Sequence, residues 1–136
     1  MPASLLVNVD VPALAPAEAF YRAALGLRPG RRFGDGAVEL LGLEAPIYLL
    51  VKEPGTAPVP GYPARRDYAR HWTPVHLDVA VDDLDAAVAR AVAAGARLED
   101  GPVTRRWGRI AVLADPFGHG LCLLQFSAEG YDAVAT

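Results

Sequence analysis

Residues 75–95 read VHLDVAVDDLDAAVARAVAAG, and a change of period inside that stretch decides the fold. Val75, Leu77, Val79 and Val81 alternate with His76, Asp78 and Ala80, the period of two that marks a half-buried strand. From Leu84 onward Ala87, Val88, Ala91 and Val92 recur at helical spacing, with Asp82 and Asp83 ahead of them as candidate caps. Gly95 closes the helix. A strand therefore runs straight into an amphipathic helix.

The same pattern recurs near the N-terminus. In Leu5 to Val11 the odd positions are apolar and Asn8 and Asp10 fall between them, until Pro12 stops the strand. Between Pro16 and Leu25 the residues Ala17, Phe20, Tyr21, Ala24 and Leu25 lie at helical spacing, with Pro16 and Glu18 suited to a first turn and Gly26 to the end. Aligning Leu14 on Leu84 places Leu6 opposite His76, Asn8 opposite Asp78 and Asp10 opposite Ala80. Three strand-like segments follow each helix: Leu27 to Phe33, Ala37 to Gly42 and Pro46 to Glu53 in the first copy, and Arg97 to Thr104, Trp107 to Ala114 and Leu121 to Phe126 in the second. Ile47 to Val51 then lies opposite Leu121 to Gln125, so the second copy is slightly longer, most simply in its hairpins.

Residues 54–73 hold Pro54, Pro58, Pro60 and Pro63 with Gly55 and Gly61, a composition that predicts an extended, semi-rigid linker. The tail from Ser127 reads as surface. The expected fold is α+β: one domain over residues 1–136, made of two tandem β-α-β-β-β modules (about 4–53 and about 74–127, linker about 54–73) that form a cupped mixed sheet with helices on the outer face. Period two then assigns sides. Leu5-Val7-Val9-Val11 and Val75-Leu77-Val79-Val81 should pack under the helices, leaving Leu6, Asn8, Asp10, His76, Asp78 and Ala80 towards the cup.

A length of 136 residues suits one domain, and no apolar run approaches the roughly 18 residues of a membrane span. The net charge of −3 gathers no polyanion, and the pairs Arg31-Arg32, Arg65-Arg66 and Arg105-Arg106 read as solvated loops and strand ends, so nucleic acid is not an expected partner. Met1-Pro2-Ala3-Ser4 does not open a secretory signal, and the single cysteine, Cys122, makes no internal disulfide; a cytoplasmic setting is expected.

Phe20-Tyr21-Arg22 leading to Leu25-Gly26-Leu27, the segment Val75 to Gly95, and Asp115-Pro116-Phe117-Gly118-His119 together resemble the vicinal oxygen chelate superfamily of glyoxalases, bleomycin-resistance proteins and dioxygenases, over nearly the whole chain. The resemblance implies paired modules and, in many members, a divalent metal held by histidine, glutamine or glutamate at stations on the first and last strand of each module. Those stations here are Leu6, Tyr48, His76 and Cys122, and only His76 matches. The chain is in this respect similar to members lacking the usual ligands, and no metal or other cofactor is expected. A divalent metal is the alternative.

The leading expectation is a protein of the bleomycin-resistance type that sequesters a metabolite or drug in its cup, as a homodimer, with a small-molecule ligand and no membrane partner. Candidate ligand-binding residues are Asn8, Asp10, Tyr48, His76, Asp78, Trp107, Cys122 and Leu124; the aromatic and apolar candidates for the cup, Tyr48, Leu50, Trp107, Leu124 and Phe126, with a few polar groups, suit such a pocket. A second expectation is a metal-dependent lyase, isomerase or dioxygenase using an acid among Asp10, Asp78 and Glu39. A third is metal-free acid–base chemistry with His76 as the catalytic residue, beside Asp78 or Asp10.

Overall fold

The computed structural model describes residues 2–136, which divide into two compact units, one ending at Ala69 and the other covering Arg70–Thr136. The first unit runs β1 (Val7–Val11), α1 (Leu14–Leu25), β2 (Arg28–Phe33), β3 (Ala37–Leu41) and β4 (Ile47–Val51). Its sheet order is β1-β4-β3-β2, with β1 parallel to β4 and the other pairs antiparallel. The second unit repeats this with β5 (Leu77–Ala80), α2 (Leu84–Ala94), β6 (Arg97–Arg105), β7 (Gly108–Ala114) and β8 (Gly120–Phe126), in the order β5-β8-β7-β6. Each unit is thus the β-α-β-β-β module that the doubled period implied. No helix among the described residues is long and apolar enough to cross a membrane.

Alternation along the strands gives each sheet one face under its helix. In the first unit Val38, Leu40, Ile47 and Leu49 are at most 2% exposed, and α1 lays Ala17, Phe20, Tyr21 and Ala24 over β3 and β4. In the second, Ala111, Leu113, Leu121 and Leu123 are at most 3% exposed beneath Leu84, Ala87, Val88 and Ala91 of α2. Complete burial of one such leucine contributes about 2 kcal/mol. The alternate residues of the same strands define an open face: Asn8, Tyr48 and Glu39 in one sheet, Asp78, Cys122 and Val112 in the other.

Several expectations shift. The first strands begin at Val7 and Leu77, so Leu5 and Val75, 70% and 83% exposed, lie ahead of them and pack under no helix. Pairing sets that limit: Val7 stands opposite Ile47, the first residue of β4, and its amide donates to Pro46 O. Helix α1 starts two residues before Pro16, behind an extended Ala13. Pro16 is harmless in the first turn because an N–H there has no intrahelical acceptor. Glu18 falls beyond that turn and instead pairs with Arg32 at 2.7 Å and Arg22 at 3.4 Å.

The linker is a closed loop as well as a connection. Gly55 N donates to Arg66 O and Arg66 N to Thr56 O, both at 2.8 Å, while the Arg66 guanidinium reaches Asp10 Oδ2 (2.8 Å) and Ala57 O (2.9 Å). Three of the arginines read as solvated, Arg31, Arg32 and Arg66, are therefore ion-paired. The extra length of the second module lies largely in β6, which has nine residues against six in β2 and two register shifts against β7. The tail also folds: a 3-10 turn, Gly130–Ala133, sets Tyr131 4.8 Å from Phe126 and 5.3 Å from Trp107.

Candidate functional site

On the open face of the first unit, β1, β4 and β3 bring Asn8, Tyr48 and Glu39 into one row. Strand β2 completes it through a bulge. Between the pairs Pro29–Leu40 and Arg32–Val38, two residues, Gly30 and Arg31, face the single residue Glu39. The bulge frees the Arg31 amide from the ladder, and it donates to Glu39 Oε1 at 3.0 Å. The Arg31 side chain adds Nε to Oε1 (3.1 Å) and Nη2 to Oε2 (2.7 Å), and the Tyr48 hydroxyl donates to Oε2 (2.7 Å). Glycine at position 30 makes room, since a Cβ there would lie 2.5 Å from Glu39 Oε1.

Arg31 and Tyr48 together hold the Glu39 carboxyl at about 2, with the side-chain hydrogen bond from Arg31 the largest cause. The same contacts raise Arg31 further, and the hydrogen bond to Glu39 raises the Tyr48 phenol above its ordinary value of 10.0. Tyr48 is therefore a protonated donor at neutral pH, which makes it unfit as a metal ligand. Arg31 also stands 5.9 Å above the ring of Phe33, and Phe33 lies 6.2 Å from Tyr48.

On the open face of the second unit, Asp78 stands opposite Cys122, and His76 Nε2 lies 3.3 Å from Asp78 Oδ1. One donor atom from each of His76, Asp78 and Cys122 falls within 4.8 Å of the others. The Cys122 thiol is pushed up to about 11, first by burial, then by the Asp78 charge and by its own hydrogen bond to that carboxylate. Trp72 meets His76 edge-on at 5.5 Å. It is in turn stacked by Arg70 at 4.5 Å, whose guanidinium grips Glu99 at 2.8 and 2.6 Å. Gly120 permits this arrangement, because a Cβ there would come within 2.9 Å of the Trp72 ring.

The predicted residues therefore separate into groups. Asn8 and Tyr48 share one open face; His76, Asp78 and Cys122 share the other. Asp10 is gripped by Arg66, and Glu39 by Arg31, which leaves Asp78 as the acid beside His76. Trp107 belongs to the aromatic group with Phe126 and Tyr131 beyond the start of β7, and Leu124, 3% exposed, pairs with Ala80 and Ile110. Leu6 is 54% exposed and precedes β1, and the register sets Asn8 opposite Tyr48 and Asp78 opposite Cys122. Arg31, Phe33 and Trp72 are additions that period alone did not single out; the signals beside them are Gly30 and Gly120, placed where a neighbour approaches the backbone.

A family model described as a glyoxalase-like domain matches residues 6–124. The chain belongs to that family. Membership of the vicinal oxygen chelate superfamily, expected from the sequence, is borne out. The chain is 35% identical over 132 residues to the anthracycline biosynthesis protein DauV of Streptomyces sp. (strain C5), a match covering 96% of this chain and 42% of that protein. The chain thus spans less than half the length of this curated relative. In fold it is similar to a glyoxalase/bleomycin resistance protein/dioxygenase family enzyme from Burkholderia phytofirmans PsJN (TM-score 0.72, 20% identity, 92% of this chain and 100% of that one). The fosfomycin resistance protein FosX from Listeria monocytogenes, solved with Mn(II) and dihydroxypropylphosphonic acid, is similar at a TM-score of 0.70 and 17% identity, over 95% of this chain and 94% of that one.

Proposed function

We propose that this glyoxalase-like domain binds a flat aromatic metabolite on its open sheet faces and sequesters it without a metal of its own. The observation that carries this reading is the row Asn8–Tyr48–Glu39, where Glu39 accepts four hydrogen bonds from Arg31 and Tyr48. What remains for a ligand is one amino group of a guanidinium, the Asn8 amide and an exposed phenyl ring, groups that hydrogen-bond and stack, with no free carboxylate, imidazole or thiolate among them. The role of DauV in anthracycline biosynthesis supports a polycyclic aromatic as the ligand class. A cytoplasmic homodimer belongs to the same proposal, the dimer supported by the prevalence of two-fold symmetry among soluble homo-oligomers.

A thermal-shift screen of polycyclic aromatics, with and without zinc and chelator, tests it. A ligand at 100 times its Kd adds about 2.7 kcal/mol, and recovered ligand should be chemically unchanged. Consumption of the ligand, or no response to any aromatic, overturns sequestration.

The trio in the second unit favours one alternative, a zinc site. Imidazole nitrogen, carboxylate oxygen and thiolate sulfur are all zinc donors, and three of them leave a fourth position open. His76, Asp78 and Cys122 would hold the ion, at the cost of the Cys122 proton that burial and Asp78 now retain. Zinc there would polarise a ligand oxygen. Stoichiometric zinc in the purified protein, lost in His76→Ala, establishes this reading; a metal-free protein whose melting is indifferent to zinc sinks it.

A further inference from the structure

The Arg31 guanidinium is fixed in place yet left partly unspent. Its Nε and Nη2 are taken by Glu39 and Tyr48, and among the described residues no hydrogen-bond partner meets Nη1. The side chain is 68% exposed, while the Glu39 side chain beneath it is only 9% exposed. An exposed arginine ordinarily loses rotamer freedom when it binds. Here Glu39 and Tyr48 have already removed that freedom, so Nη1 can donate to a ligand with little further ordering. Beside it, Phe33 presents a ring that is 49% exposed, at the stacking distance of the same guanidinium.

We propose that Arg31 Nη1 and the Phe33 ring form a specificity site for an aromatic ring bearing a carbonyl or phenolic oxygen, the ring stacking on Phe33 and the oxygen accepting from Nη1. The charge fits an uncharged oxygen acceptor, because Glu39 already neutralises Arg31 and the pair offers no net field for an anion. Gly30 is part of the device, since it admits the carboxylate that pins the guanidinium. The site rests on the reading of the chain as an aromatic-metabolite binder and adds to it which ring chemistry is selected and by which residues.

Titration of the full chain with 1,4-dihydroxyanthraquinone and with oxygen-free anthracene tests the site. The wild-type chain should bind the quinone about tenfold more tightly, the scale of one charge-assisted hydrogen bond. Arg31→Lys keeps a cation for Glu39 but loses the second amino group, and should erase that preference. Phe33→Leu leaves the Arg31–Glu39–Tyr48 network intact and should weaken both probes by about fivefold; it decides the matter should Arg31→Lys fail to fold. Quinone affinities within twofold of wild type in Phe33→Leu and in any folded Arg31→Lys overturn the site and leave the proposed function standing. A wild-type chain that binds neither probe overturns both.

Discussion

Glu39 is the residue on which the first open face depends. It sits 7% exposed, with both carboxylate oxygens occupied, and its carboxyl is lowered from 4.5 to about 2. A group whose pKa is lower in the folded than in the unfolded chain stabilises the fold fully above the unfolded value and loses that contribution as pH falls through the folded one. Glu39 should therefore add a loss of stability between about pH 4.5 and pH 2. Urea midpoints measured across that window should fall less steeply in Glu39→Gln than in wild type, and parallel curves would show that the ion pair carries no such linkage. At this scale the sequence was only partly legible. His76 and Asp78 stood out as polar residues on one strand period, and Cys122 as a station implied by the family resemblance, but the Arg31–Glu39 pair depends on a bulge that period two does not contain.

The helices show how local chemistry is distributed between the two modules. Helix α2 is capped by Asp83, whose side chain accepts from Ala86 N at 3.1 Å, whereas Ala13 ahead of α1 offers no side-chain cap. Asp83→Ala should cost about 1 kcal/mol in denaturant unfolding. Ala13→Asp should return less, about 0.5 kcal/mol, because Pro16 has no N–H and leaves Ala15 N as the acceptor's main target. Equal effects of the two substitutions would mean that the caps are not what distinguishes the helices. Element types were legible because burial follows period: Val38, Leu40, Ile47 and Leu49 alternate with the open-face residues just as the apolar positions do. Element ends were less so. Strand β1 begins where its partner β4 begins, at Ile47, and β5 begins opposite Leu121, one residue into β8, so pairing across the module and not the apolar residues Leu5 and Val75 sets those ends.

At the scale of the whole chain, the doubled module was legible because the same strand-helix transition occurs twice, and the family match over residues 6–124 agrees with it. The one-domain reading is a proposal with a direct test, because both tryptophans, Trp72 and Trp107, fall in the second unit. Tryptophan fluorescence therefore reports that unit, while far-UV circular dichroism reports both. Ile47→Val removes one buried methyl group from the first unit, where Ile47 is 2% exposed, and should cost about 1 kcal/mol. With a urea slope of about 2 kcal/mol/M, that lowers the midpoint by about 0.5 M. A single cooperative domain requires the fluorescence midpoint to fall with the dichroism midpoint, although the substitution lies in the unit without tryptophan. A fluorescence curve that stays at its wild-type midpoint, beside a dichroism curve that splits in two, would show two independently folding modules and sink the one-domain reading.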